Sequence, residues 1–204
     1  MERSGLRRII PIALILIVIV IAVVALVSVG KSLFFSGNST TSTSTKPNVG
    51  KQALTQTADT YSVRMTVRGP IVANEDYRSY TVAISPTART MTTYKGYDQQ
   101  QIDADKLDNT TAAYEQLVYA LNRAKFMDGT PLTGDSNDTR GVCATGTLYT
   151  FDVLQSDTSE QSLWTTSCAG SPGSLKANLG QITDLFSDQI PTFSALVQNM
   201  NANS

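Results

Sequence analysis

The chain has 204 residues, 41% of them hydrophobic and only 7% aromatic, and its formal net charge is −1. Basic residues gather near the beginning, so residues 51–204 carry a net charge of −5, which argues against a nucleic-acid partner because no basic face is left to neutralise phosphates. The sequence contains no histidine, and this excludes Ser-His-Asp and Cys-His catalysis.

Residues 9–29 form an uncharged run in which only Pro11 and Ser28 lie outside the apolar set. At about 1.5 Å per residue, a helix of this length matches a hydrocarbon core of about 30 Å, so the run predicts a transmembrane helix. The run is longer than the apolar region of a cleaved signal peptide and lacks a convincing cleavage site, which favours an uncleaved anchor over the signal-peptide alternative.

Three basic residues, Arg3, Arg7 and Arg8, precede the apolar run, and only Lys31 follows it closely. The positive-inside rule then places residues 1–8 in the cytoplasm as a short tail and everything after Lys31 outside the membrane. The arginines are therefore the residues that determine the predicted topology.

Residues 30–60 predict a disordered linker. Its centre, SGNSTTSTST at residues 36–45, has no large apolar residue and cannot contribute to a core. The remaining stretch up to Thr60 is also polar. A plain spacer is favoured over an O-glycosylated stalk, and the linker would hold the outer domain away from the bilayer.

From Tyr61 the pattern predicts a folded extracytoplasmic domain over residues 61–200. Apolar and polar residues alternate over residues 61–67, which is typical of a half-buried strand, and Gly69-Pro70 ends it. Residues 80–84 alternate in the same way, and residues 89–94 predict a return strand. The first part of the domain therefore contains two or three strands.

Asp108 is the predicted N-cap of a helix that continues to Phe126 and carries apolar residues on one face. A polar loop follows at residues 127–141. Residues 149–153 and 162–168 then predict a second strand pair, with its turn near Gln155.

The last long helix is predicted to have Ser171 as its N-cap and Pro172 as its first residue. Pro191 ends or kinks this helix, and apolar residues from Phe193 to Met200 predict a short terminal helix. The sequence therefore predicts an α+β fold of the order β-β-(β)-α-β-β-α, with an antiparallel sheet covered by two helices.

Cys143 and Cys168 are the only cysteines, and both belong to the predicted outer domain. If Cys143 opens the fourth strand and Cys168 closes the fifth, they lie opposite each other and predict a disulfide, which suits an oxidising exterior. Closing a loop of this length contributes about 3 kcal/mol in the chain-entropy model. Two cysteines without a histidine cannot form a zinc site, so no metal and no cofactor are predicted.

Three groups of residues have side chains that could form a chemical site. Paired carboxylates at Asp103, Asp105 and Asp108 precede a helix, where solvation and capping explain them better than hydrolysis. The acidic residues of the 127–141 loop (Asp128, Asp135 and Asp138) could hold Ca²⁺, but their spacing departs from an EF-hand and favours a solvated loop. Trp164 either packs in the core, as is commoner, or anchors a ligand. No enzyme activity is predicted.

The segments GVCATGTLYTFDVLQ, SLWTTSC and SPGSLKANLGQITDLF resemble a pattern in secreted bacterial proteins, where a Cys/Gly-led strand pair precedes a Pro-started helix. Over residues 61–190 the order of elements is similar to that of emfourin-type inhibitors of thermolysin-like metalloproteases. The glycine-rich segment in the first hairpin of those inhibitors has its nearest counterpart in Arg68-Gly69-Pro70. The overall layout also resembles single-anchor bacterial cell-surface proteins. The resemblance to emfourin-type inhibitors implies protease inhibition, and the resemblance to single-anchor proteins implies display at the cell surface.

Three functional hypotheses follow. The leading one is a membrane-anchored extracytoplasmic binding module without a catalytic constellation, whose ligand is a protein or a glycan. The alternatives are a membrane-tethered protease inhibitor and a structural subunit of an envelope complex.

Overall fold

The computed structural model describes residues 48–202. The predicted cytoplasmic tail (1–8), the predicted transmembrane helix (9–29) and most of the predicted linker lie outside the described residues and stay predictions. Within residues 48–202, no helix combines the length and the apolar character needed to cross a membrane. The described residues belong to one compact unit of helices and strands, which confirms the predicted α+β class.

Six strands form one antiparallel sheet with the spatial order β4-β3-β2-β1-β5-β6. The strands are β1 (Tyr61–Arg68), β2 (Arg78–Ile84), β3 (Ala88–Lys95), β4 (Gln100–Asp108), β5 (Leu148–Gln155) and β6 (Thr158–Thr166). The α-helices are α1 (Val49–Leu54), α2 (Thr111–Arg123), α3 (Leu179–Ser187) and α4 (Phe193–Ala202), and a 3-10 turn spans Gly134–Asn137. The antiparallel sheet and the β5–β6 turn after Gln155 confirm the prediction.

Alternation along β1 gives the sheet two different faces. Met65 is fully buried and lies beside Val82 of β2 and Phe151 of β5, which are also fully buried. The next residue, Thr66, lies beside Thr81 and points to the opposite side. We call the apolar side, which the helices pack against, the covered face and the other side the open face.

Aromatic rings form the centre of the core on the covered face. Phe126, Phe151 and Phe186 are fully buried, and their ring centroids lie 5.7 to 6.1 Å apart. The predicted apolar side of α2 is buried against them, which confirms its orientation; its members are Tyr114, Leu117, Val118 and Leu121. Two hairpin systems that are distant in sequence are thus joined by one core, with β1 and β5 as its central strands.

The predicted linker extended to residue 60, but part of it is folded. Helix α1 is capped by Asn48, whose Oδ1 accepts from the Lys51 N–H at 3.0 Å and whose Nδ2 donates to the Met127 carbonyl at 2.6 Å. The side chain of Leu54 is fully buried in the core. The boundary at residue 61 was therefore wrong, because three apolar residues in a polar stretch gave too short a helical pattern to detect.

A fourth strand, β4, precedes the first long helix, where the sequence predicted only two or three. Asp108 ends this strand and does not cap α2. The cap is Thr110, whose Oγ1 accepts from the Ala113 N–H at 3.2 Å. Strand β4 is an edge strand, and its charged residues, which protect an edge from pairing with other chains, also hide its strand pattern.

The last long helix begins seven residues later than predicted. Asn178, not Ser171, caps α3, with its Oδ1 accepting from the Gln181 N–H at 3.0 Å. The intervening segment instead runs along β6, where the N–H groups of Ser174 and Leu175 both donate to the Trp164 carbonyl. The sequence predicted two covering helices, and the described residues contain four α-helices. The additional ones are α1 and the terminal helix α4, which was predicted correctly.

Candidate functional site

The two cysteines lie at one end of the sheet. Their sulfur atoms are at disulfide distance and their Cα atoms are 5.6 Å apart. The prediction that both cysteines belong to strands was wrong. Cys143 lies in the turn before β5, and Cys168 lies in the bend after β6. The link therefore fixes a loop, residues 139–146, which we call the disulfide loop.

Local backbone requirements keep this loop tight. A Cβ at Gly146 would lie 2.6 Å from the Cys143 sulfur and 2.5 Å from the Ser167 hydroxyl, so only glycine fits beneath the linked cysteines. Cys143 itself has a positive φ of 54°, which is uncommon for a residue with a side chain. The Ser167 hydroxyl accepts from the Thr147 N–H at 2.8 Å and joins the loop to the end of β6.

The disulfide loop forms one wall of a concave pocket of about 240 Å³ on the open face. The opposite wall comes from the β1–β2 loop (residues 69–77) and from Tyr97 in the β3–β4 turn. The two walls are joined directly, since the Ile71 N–H donates to the Ala144 carbonyl at 2.8 Å. The complete lining is Arg68, Gly69, Ile71, Tyr77, Tyr97, Thr139, Arg140, Gly141, Val142, Cys143 and Leu148.

Apolar side chains are displayed around this pocket. Ile71, Val72 and Tyr97 are 51%, 40% and 50% exposed, and among the described residues only Val49 and Tyr119 are comparable large apolar side chains. The Tyr97 ring stacks on the buried Tyr77 at 4.1 Å between centroids. Exposed apolar groups gathered around a concavity typically mark a binding surface.

Hydrogen bonds hold the Tyr97 ring in place. Its hydroxyl donates to the Val72 carbonyl at 2.8 Å and accepts from the Val72 N–H at 3.2 Å. Its own backbone N–H donates to Asn74 Oδ1 at 2.8 Å. Because the ring is already ordered, a ligand that contacts it would not have to immobilise it.

Arg68 is one of the two cations that line the pocket. Its Nη2 donates to the Thr139 hydroxyl at 3.2 Å, but its Nε is shielded from solvent and has no hydrogen-bond partner within residues 48–202. Burial raises the pKa of Tyr77, while the positive charge of Arg68 lowers it in part. Arg140, the other cation of the lining, already donates to both carboxylate oxygens of Asp138 at 2.9 Å.

A larger cavity of about 390 Å³ lies on the covered side, beside the end of α4. Its cation is Arg78, which is 8% exposed and donates to the carbonyls of Glu75, Tyr77 and Met200. These bonds tie α4 to the sheet, so Arg78 has a structural role. The pocket on the open face is therefore the better candidate site.

The acidic residues of β4 have hydrogen-bond partners within the domain. The Thr192 hydroxyl donates to Asp105, and Asn199 Nδ2 lies 3.4 Å from Asp103 Oδ2. The Asp108 carbonyl accepts from the Arg89 guanidinium. The contacts of Asp105 and Asp103 hold the segment around α4 against the sheet edge, and the contact of Asp108 joins β4 to β3.

The three candidate calcium ligands of the 127–141 loop have separate partners. Asp128 pairs with Lys51 of α1, and Asp135 accepts through its carbonyl from the Asp138 N–H. The hydrogen bonds from Arg140 lower the pKa of Asp138 to about 2. Within residues 48–202, no three acidic or cysteine side chains come together in a group that could hold a metal ion.

Trp164 packs inside the domain and does not display its ring. It is 7% exposed, and its Nε1 donates to Asn137 Oδ1 at 3.1 Å, which fastens the 3-10 turn over the open face of β6. The predicted topology residues Arg3, Arg7 and Arg8 lie outside the described residues.

Sequence reasoning missed the pocket residues, although a signal was present. Ile71, Val72 and Tyr97 stand in turn segments, GPIVANEDY and KGYDQ, where strands have ended and polar residues normally dominate. Large apolar residues in such positions contribute to no strand pattern. Large apolar residues in such segments are therefore candidates for an exposed binding surface.

Comparison with protein-family models and with curated proteins gives no relatives from which a function could be inferred. No protein-family model matches this chain. No curated protein is significantly similar to it.

Proposed function

We propose that this protein is a membrane-anchored binding module, displayed outside the cell membrane, that recognises a ligand through the open-face pocket. The observation that supports this most directly is the fixed, half-exposed Tyr97 ring in a pocket also lined by Arg68, whose guanidinium has no carboxylate partner within residues 48–202. Folding tends to bury such an apolar ring and to pair such a donor. Leaving both at one concavity is a cost that binding would offset.

The predicted anchor and topology supply the location in this proposal. The apolar run at residues 9–29 and the arginines before it favour an N-terminus in the cytoplasm. A cysteine pair at disulfide distance suits a domain in an oxidising compartment. Alkylation of intact cells with a membrane-impermeant maleimide, before and after reduction, tests the location. Labelling that appears only after reduction is expected, and protection in both cases would contradict it.

The binding role is tested with the full-length protein in detergent, immobilised and exposed to envelope extract. We expect the wild type to retain a component that the Arg68→Gln/Tyr97→Ala double variant loses. The matched control is Arg123→Gln/Tyr119→Ala on α2, where an exposed tyrosine also carries an arginine 5.8 Å above its ring. Equal retention by all three proteins would overturn the proposal.

Protease inhibition is a second candidate, favoured by the exposed Ile71 and Val72 in a loop fixed at both ends. Such a loop could enter the apolar specificity pocket of a protease, in line with the resemblance to emfourin-type inhibitors. Titration against a thermolysin-like metalloprotease tests it. Inhibition by the wild type and its loss in Ile71→Asp would favour this function, and no inhibition at micromolar excess would reject it.

A further inference from the structure

The charges around the open-face pocket define the ligand it can accept. Its lining contains two arginines and no carboxylate, although residues 51–204 are acidic overall. Arg140 is already paired with Asp138, whereas Arg68 has no carboxylate partner within residues 48–202. An anionic ligand would supply that partner, and guanidinium groups favour planar carboxylates and phosphates.

The neighbouring surface favours a ring. The Tyr97 ring is half exposed and fixed by its stacking on Tyr77 and by two hydrogen bonds to Val72. The faces of aromatic rings carry partial negative charge, so they attract the polarised C–H groups that line one side of a sugar ring. A sugar stacked there would also contact Ile71 at the rim.

Backbone pairing argues against an extended peptide in this pocket. Peptides commonly bind by adding a strand to a free sheet edge. Here the Ile71 N–H is paired with Ala144 and the Gly69 N–H with Arg78, and the strands beside the pocket, β1, β2 and β5, are interior strands of the sheet. The volume of about 240 Å³ is below the roughly 300–1,000 Å³ of pockets for drug-sized ligands, so it suits one residue of a longer ligand.

From these features we infer that the pocket binds an acidic glycan, with the carboxylate of a uronic-acid residue on Arg68 and its ring on Tyr97. This inference rests on the proposed binding function and specifies its ligand class. Recognition needs both parts: Arg68 distinguishes the acid from neutral sugars, and Tyr97 contributes affinity for the ring.

The test uses the full-length protein in detergent and two probes that differ only at the carboxyl group, an oligogalacturonate and its uncharged methyl ester. We expect the wild type to bind the acid at least about tenfold more tightly than the ester, a difference of the size expected for one charge-assisted contact. Dextran sulfate serves as a probe of unspecific attraction to anions. Equal binding of acid and ester, or tighter binding of dextran sulfate, would overturn the inference.

Variants separate the two roles. Arg68→Gln should remove the preference for the acid over the ester, and Arg68→Lys should restore this preference in part. Tyr97→Ala should weaken the acid and the ester by the same factor. The α2 control Arg123→Gln/Tyr119→Ala should behave as wild type, and circular dichroism checks that each variant is folded. A preference for the acid that survives in Arg68→Gln would contradict the assignment.

The outcome also distinguishes this inference from the proposed function. If the envelope component retained through Arg68 and Tyr97 is destroyed by protease, the ligand is a protein. The inference then fails while the binding function stands. If nothing is retained through the pocket and neither galacturonate probe binds, both fail.

Discussion

The two faces of the sheet are built from the same strands and serve different purposes. On the covered face, Val63, Met65 and Val82 are fully buried beneath helices. On the open face, four threonines lie side by side on adjacent strands and are only half buried: Thr92, Thr81, Thr66 and Thr150. The covered face holds the fold together, and the open face, with its disulfide loop, is free to display a pocket.

The open face also carries an ion pair between neighbouring strands. Arg64 of β1 and Asp152 of β5 form an ion pair at 3.0 Å, with side chains 38% and 6% exposed. A pair that is open to solvent on one side contributes little to stability, so this face depends on the core behind it. The comparison predicts large effects of substitutions on the covered face and smaller, more specific ones on the open face.

Phe151→Ala should give the largest effect. Its ring is fully buried between Phe126 and Phe186, and removing such a ring costs about 3–5 kcal/mol because the cavity does not close. Urea unfolding measures the loss. Thr92→Val, at a half-buried position of the open face, should stay within about 0.5 kcal/mol. Similar losses in both variants would contradict the division between the faces.

The sequence predicted best where one face of an element is apolar. The alternation in β1 and the apolar stripe of α2 both mark the core correctly, since burial on one side leaves a period in the sequence. Strand β4 and helix α1 escaped detection because an edge strand needs charges and a six-residue helix has too few turns to show a period.

Helix starts and the pocket were harder to predict for another reason. Ser171 and Asn178 are both good capping residues, and the choice between them is made by pairing of the intervening segment with Trp164, a tertiary contact. The pocket joins residues 68–77, 97 and 139–143, which only the fold brings together. The local sequence pattern therefore contains no information about the start of α3 or about which residues line the pocket.

Cys143→Ser should give the second largest effect. Loss of a disulfide from a small secreted domain typically costs 2–5 kcal/mol, here by releasing the loop that forms one pocket wall. Urea unfolding without reductant measures it, and in reductant the variant and the wild type should unfold alike. Thiols that react with maleimide in native, non-reduced protein would contradict the pairing and the predicted exterior location together.

Alkaline pH should weaken the covered face by a smaller amount. Burial raises the pKa of Tyr80 to about 12, with a further contribution from Tyr149. In the unfolded chain a tyrosine ionises near pH 10, so this contribution to stability is complete below about pH 10 and is lost as the pH rises to about 12. Tyr80→Phe should reduce the fall in unfolding free energy across that range by about 1–2 kcal/mol. Identical pH profiles would show that Tyr80 does not cause the loss.

The smallest effect should be a gain in stability, from Thr150→Val on the open face. The Thr150 hydroxyl is shielded from solvent and has no hydrogen-bond partner within residues 48–202, and it lies between Thr66 of β1 and Trp164 of β6. An unpaired buried hydroxyl is costly, and valine keeps the branched shape that a strand favours. We expect the free energy of unfolding to rise by up to about 1 kcal/mol.

Thr81→Val is the matched control for that gain. Its hydroxyl lies 3.4 Å from that of Thr66, so this substitution removes a weak hydrogen bond and should be neutral or slightly destabilising. Paired urea titrations of the two variants give the difference directly. If Thr150→Val is the less stable of the two, the Thr150 hydroxyl has a partner in solution, and the open face is more fully hydrogen-bonded around Trp164 than the contacts of residues 48–202 indicate.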